Sequence, residues 1–94
     1  PTVNTAKVKM VTANDPARSK SSDLAGTYTT TANLNMRHGA GVTKKIMAVV
    51  PKNTKVRNYG FYTTASGTKW LYVQVTINNV VYTGFCSSKY LKKI

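Results

Sequence analysis

The sequence predicts an all-β domain, a small β-barrel of short antiparallel strands. Three observations lead there. From Gly26 onward apolar and polar residues alternate in places with period two, and no helical periodicity appears. β-Branched and aromatic residues crowd Tyr28 to Thr31, Ile46 to Val50, Trp70 to Ile77 and Val80 to Cys86. Turn residues separate these runs at short intervals. Short strands with close turns make a barrel or a sandwich.

The elements follow in order. Residues 1–24 read as a linker or the tail of a preceding domain, and 25–94 as the barrel. The stretch Asn14 to Asp23 is polar, turn-rich and aperiodic, as a linker is. Before it, Val8-Lys9-Met10-Val11 reads either as the tail of a preceding domain or as a short strand pairing with an open sheet edge. In Leu34-Asn35-Met36-Arg37 the alternation turns Leu34 and Met36 to the core. His38 to Lys44, with two glycines, reads as a long mobile loop. Ile46 to Val50 is short and apolar, so a buried strand is expected. Pro51-Lys52-Asn53-Thr54 is a turn, because Pro presets one backbone angle and Asn tolerates the left-handed one.

Lys55 to Thr64 is the next strand, closed by Ala65-Ser66-Gly67-Thr68. Then Leu71, Val73, Val75 and Ile77 alternate with Trp70, Tyr72, Gln74 and Thr76, and the aliphatic set faces the core. Asn78-Asn79 fits a two-residue hairpin turn, whose central positions need positive φ. Val80 to Cys86 returns as the partner strand, with a bend expected at Gly84.

Composition bounds the partners. Fourteen Lys and Arg stand against two acids, Asp15 and Asp23, a net charge of +12. Such a surface attracts polyanions: nucleic acid, anionic lipid or the phosphate-bearing polymers of Gram-positive walls. No apolar run approaches the ~20 residues that span a bilayer, so no membrane insertion is expected. The chain starts at Pro1 without an initiator Met, and a piece of a longer protein is expected. A single cysteine, Cys86, forms no internal disulfide.

Catalysis finds little support. Paired-carboxylate chemistry needs two acids at one substrate, and the patterned region has none. A cysteine hydrolase needs Cys and His in contact; Cys86 sits in a strand as a packed thiol, and His38 beside a glycine loop is a solvated residue. One His and one Cys fall short of a zinc site. No catalytic residue, metal or cofactor is expected. Binding fares better. Tyr28, Tyr59, Phe61, Tyr62, Trp70, Tyr72, Tyr82, Phe85 and Tyr90 are more aromatics than so small a barrel buries completely. Trp70 and Tyr72, opposite the aliphatic set, either line a groove or shield the barrel.

Leu34-Asn35-Met36-Arg37, Trp70 with its turn spacings, and Gly84-Phe85-Cys86-Ser87-Ser88-Lys89-Tyr90-Leu91 occur in an order that resembles bacterial Src-homology-three domains over about residues 27–94. The sequence departs from that pattern at His38-Gly39-Ala40, at Phe85 where Trp is usual, and at Asn53 where Gly is common. The resemblance implies a Src-homology-three-like barrel that anchors phage endolysins and bacterial autolysins to peptidoglycan or its attached anionic polymers. It implies a catalytic domain in the same parent chain, such as an amidase, muramidase or endopeptidase. It implies action at the bacterial cell wall, outside the membrane; a phage lysin would be made in the host cytoplasm and released at lysis. By position it makes Arg37, His38, Tyr62, Trp70 and Tyr90, with Tyr72 beside them, the candidate ligand-binding residues. The competing reading is a small β-barrel that binds single-stranded nucleic acid by stacking and phosphate contacts.

Overall fold

A computed structural model describes residues 9–94, with nine strands and two single-turn 3-10 helices. The strands are β1 (Lys9–Thr12), β2 (Ser19–Lys20), β3 (Gly26–Thr30), β4 (Leu34–Arg37) and β5 (Ile46–Val50), then β6 (Lys55–Ala65), β7 (Thr68–Ile77), β8 (Val80–Ser87) and β9 (Leu91–Lys93). They form one sheet in the order β5-β4-β8-β7-β6-β3-β9. No α-helix occurs among the described residues, as the all-β expectation requires.

One cluster holds the core. It takes Tyr28 from β3, Leu34 and Met36 from β4, Val50 from β5 and Val56 from β6, with Leu71, Val73 and Val75 from β7 and Cys86 from β8. Strands lie ~4.8 Å apart, so a flat sheet would set β5 and β3 ~24 Å from each other. Residues from both meet in one cluster, and the sheet therefore curls around it. It does not close, since among the described residues no ladder joins β5 to β9.

The strands differ from short antiparallel ones in two ways. β6 and β7 run for 11 and 10 residues. β1 pairs parallel with β8, from Lys9 opposite Val80 to Thr12 opposite Thr83. The edge of β8 is thus divided between β1 and β4, whose Arg37 lies opposite Phe85. The edge of β6 is divided likewise between β3 and β2.

Long β6 bends in its middle, and Asn58 holds the bend. Its register against β7 shifts between Asn58 and Tyr62. Asn58 is fully buried, yet every polar atom of its amide is used. Nδ2 donates to the carbonyls of Phe61 and Tyr72, each at 2.9 Å, and Oδ1 accepts the Gly60 amide at 2.8 Å. Gly60 itself stands at φ 99°, in a region that side chains rarely adopt.

Turn chemistry follows the sequence. Ser66-Gly67 and Asn78-Asn79 both take positive φ at their two positions, the backbone that matches strand twist in a two-residue hairpin. Asn53 takes φ 66°. Thr30 fixes this turn from beneath: its hydroxyl donates to the Pro51 carbonyl at 2.6 Å and accepts the Thr54 amide at 2.9 Å.

Two expectations need correction. Ile46 to Val50 is an edge strand, not a buried one: Val50 is enclosed, but Val49 is 57% exposed and Ile46 is exposed as well. Apolar composition alone did not distinguish an edge from a centre. Gly84 is not a bend but a close approach. A Cβ there would lie 2.9 Å from the Arg37 carbonyl oxygen and 3.0 Å from Met36 Cγ.

Residues 1–8 of the expected linker, Val8 among them, lie outside the described residues. Residues 9–24 lie on the sheet. Besides β1 and β2, the Ser21 amide donates to the Gly60 carbonyl at 2.8 Å, Ala13 donates to Thr83 and Asp15 to His38. Asp15, Pro16 and Arg18 line a depression with the fully buried Phe85. Deleting residues 1–24 is therefore expected to cost about 2 kcal/mol, the scale of re-exposing one large apolar side chain, or roughly 10 °C in melting temperature. Calorimetry of the two forms checks this; equal melting temperatures would mean that the segment rides on the sheet without supporting it.

Candidate functional site

The outer face of β7 and β8 is built by the same alternation that builds the core. Leu71 and Cys86 pair across the strands and face inward. Tyr72 and Phe85, and next to them Trp70 and Ser87, pair across and face outward. This second face is packed. Tyr72 and Phe85 meet with ring centroids 4.9 Å apart and planes tilted by 54°. Phe85 is fully buried, and Trp70 is only 6% exposed.

Trp70 nevertheless forms the wall of a surface depression of about 370 Å³. β4 contributes Asn35 and Arg37, whose side chains alternate outward against Leu34 and Met36. The 38–45 loop contributes Val42, which is well exposed. The 3-10 turn Ser88–Tyr90 contributes Lys89 and Tyr90, the latter 48% exposed. That turn is held by the Ser87 hydroxyl, which accepts the Lys89 amide at 3.3 Å.

Of the candidates, Arg37, Trp70 and Tyr90 meet around this depression. Tyr72 does not line it; its ring packs at a tilt against Phe85 instead. Tyr62 packs against the core, with Lys69 Nζ 5.5 Å from its ring centroid. His38 lies to one side, its Nδ1 accepting the Asn14 amide at 3.2 Å. Sequence reasoning missed Asn35, Val42 and Lys89. Asn35 shares the outward parity of Arg37, and Lys89 stands inside the C-terminal motif beside Tyr90, so both carried a signal. Val42 carried none, because its position depends on how the loop returns.

That loop is tied to its surroundings. Arg37 Nη1 donates to the Lys44 carbonyl at 2.8 Å, and the His38 amide donates to Lys45. Lys44 Nζ stands 3.5 Å from Asp15 Oδ2, the one ion pair among the described residues. No carboxylate lines the depression, so Arg37 and Lys89 give it positive potential. An aromatic wall, two cations and an amide side chain suit a ligand with flat polar groups, such as a sugar ring or a peptide plane.

The nucleophile candidates lie elsewhere. Cys86 is fully buried in the core, and burial pushes its thiol up to about 12, far from the reactive thiolate. Among the described residues no three His, Cys, Asp or Glu side chains gather into a group. No helix among them is long and apolar enough to cross a membrane. No protein-family profile, curated protein or solved structure matches this chain.

Proposed function

We propose that this chain is a non-catalytic module that binds bacterial cell wall and holds a wall hydrolase to it, as a domain resembling the bacterial Src-homology-three type would. One observation carries the reading: Arg37, Trp70 and Tyr90, distant in sequence, wall a single depression without a carboxylate. The ligand assigned to it is the neutral or weakly charged part of the wall, peptidoglycan, which offers sugar rings and peptide planes to an aromatic wall. The net charge of +12 adds long-range attraction to an anionic surface.

Tyr90 provides the clean test. It is half exposed and lies outside the core cluster, whereas truncating the buried Trp70 would mix stability with binding. Tyr90→Ala is expected to keep the melting temperature within a few degrees and to weaken binding to purified peptidoglycan at least tenfold, about 1.4 kcal/mol. Cosedimentation of the folded variant measures this. Unchanged binding would remove the depression as the ligand site.

A further inference from the structure

The segment between β1 and β2 is anchored at both ends and clasped in the middle. At its ends the Ala13 amide donates to the Thr83 carbonyl at 2.7 Å, and the Arg18 amide donates to the Thr63 hydroxyl at 3.0 Å. In the middle it meets the 38–45 loop. The Asn14 amide donates to His38 Nδ1 at 3.2 Å, and the Asp15 amide donates to the His38 carbonyl at 3.0 Å. Asp15 Oδ2 lies 3.5 Å from Lys44 Nζ. Gly39 makes room for this clasp: a Cβ there would run into Asp15 Oδ2 and lie 3.0 Å from Lys44 Cδ. His38 lies in the stretch where the sequence departs from the Src-homology-three pattern, and the clasp is built on that departure.

An imidazole nitrogen accepts a hydrogen bond only while it carries no proton. With Nδ1 facing the Asn14 amide, the proton of the neutral ring sits on Nε2. A second proton would set N–H against N–H, and the contact would have to open. The charges nearby also oppose it. Arg37 precedes His38, Lys44 and Lys45 close the loop, and Arg18 lines one depression with Asp15 and Lys44. Asp15 is the carboxylate beside them, and Lys44 already holds it. An imidazolium that captured Asp15 would take it from Lys44, which frees the end of the loop.

The clasp is continuous with the Trp70 depression. The His38 amide donates to the Lys45 carbonyl at 2.8 Å, and the Lys44 amide donates to Gly41 at 3.2 Å. Arg37 Nη1 donates to the Lys44 carbonyl at 2.8 Å. Arg37 and Val42, one at the root of the loop and one within it, line the depression.

We propose that His38 is a pH-sensitive latch. Neutral, it fastens residues 13–18 to the 38–45 loop and so keeps Arg37 and Val42 at the Trp70 wall; protonated, it lets the segment and the loop go. The latch is at full strength above the pH at which imidazoles ordinarily take up their proton, ~6.5, and weakens as the pH falls below it. It stands on the hydrogen bonds alone, whereas its effect on a ligand rests on the wall-binding reading.

The test uses the full 94-residue chain and two measurements. The first is amide exchange followed by NMR and expressed as protection. Protection at Asn14 and Asp15 is expected to fall at least about threefold between about pH 7.5 and about pH 5.5, while Leu71 and Val73 in the core keep theirs. That range stays above the one in which carboxylates ordinarily titrate. In His38→Gln the two amides are expected to show no such pH dependence. Gly39→Ala pushes Asp15 aside without altering a titratable group, and it is expected to show the lowered protection already at neutral pH. The second measurement is cosedimentation with purified peptidoglycan, which is expected to weaken about threefold over the same range. Added positive charge alone would strengthen attraction to an anionic surface, so the direction separates a latch from bulk charge. Protection at Asn14 and Asp15 that ignores pH, or that falls equally in His38→Gln, would overturn the latch. Lost protection with unchanged or stronger peptidoglycan binding would overturn its connection to the depression. Failure of the unaltered chain to bind peptidoglycan at either pH would count against the wall-binding reading, with the exchange result still deciding the latch.

Discussion

Asn58→Asp is expected to be the most damaging single-atom change in this domain. The substitution keeps the shape of the side chain and replaces the Nδ2 donor by an oxygen. In the native protein Nδ2 donates to the carbonyls of Phe61 and Tyr72. The variant sets an oxygen against both, in a site without solvent contact. Two carbonyls lose their partner at ~1–3 kcal/mol each, and a charge is buried without a counter-ion. The expected loss is at least about 4 kcal/mol, a large share of the ~5–15 kcal/mol that stabilises an ordinary domain. Protonation restores one donor, so the variant should regain part of its stability as pH falls. Denaturant melts at neutral and acid pH check both statements. A loss below about 1 kcal/mol would mean that the β6 bend persists without Asn58.

Gly84→Val is the second large effect. β8 passes β4 so closely that even a Cβ would press on the Arg37 carbonyl and Met36. The backbone oxygen cannot rotate away as a side-chain tip can. Strand propensity favours Val over Gly, so a gain would be expected on that ground alone. Overpacking, typically ~1–3 kcal/mol, should win, and more is expected here because backbone is involved. The β4 ladder to β8 consists of the Arg37–Phe85 pair, so its displacement would also move Arg37 away from the Trp70 wall. The expected result is a lower melting temperature together with weakened peptidoglycan binding by the folded fraction. A stable variant that binds normally would show that β4 can shift without disturbing the depression.

Local pattern reached far into this fold because a strand's alternation is a property of neighbouring residues. The inward set Leu71, Val73 and Val75, the buried pair Leu34 and Met36, and the left-handed positions at Asn53, Asn78 and Asn79 were all legible that way. What failed depended on neighbours distant in the chain. Ile46 to Val50 is apolar enough for a central strand, yet among the described residues no strand lies on its far side. Trp70 reads as outward-facing and is, but its burial is set by what covers it there. Ser19 and Lys20 look like linker, and only the approach of β6 makes them a strand. The candidate site divides the same way. Arg37, Trp70 and Tyr90 belong to recognisable motifs and converge, whereas Tyr62 and Tyr72 were drawn into packing on other rings, cations and core residues.

The parallel ladder of β1 on β8 sets an order of assembly. β7 and β8 are joined by two residues, Asn78 and Asn79, whereas β1 meets β8 across about seventy. Closing the longer loop costs about 3 kcal/mol more in chain entropy, on logarithmic scaling with length. The hairpin can therefore nucleate early, and β1 can only dock on an edge that β8 has already presented. In reverse, β1 is the element that peels first under strain. A pull on the chain from its N-terminal side would be taken up by four residues of β1 before it reached the core.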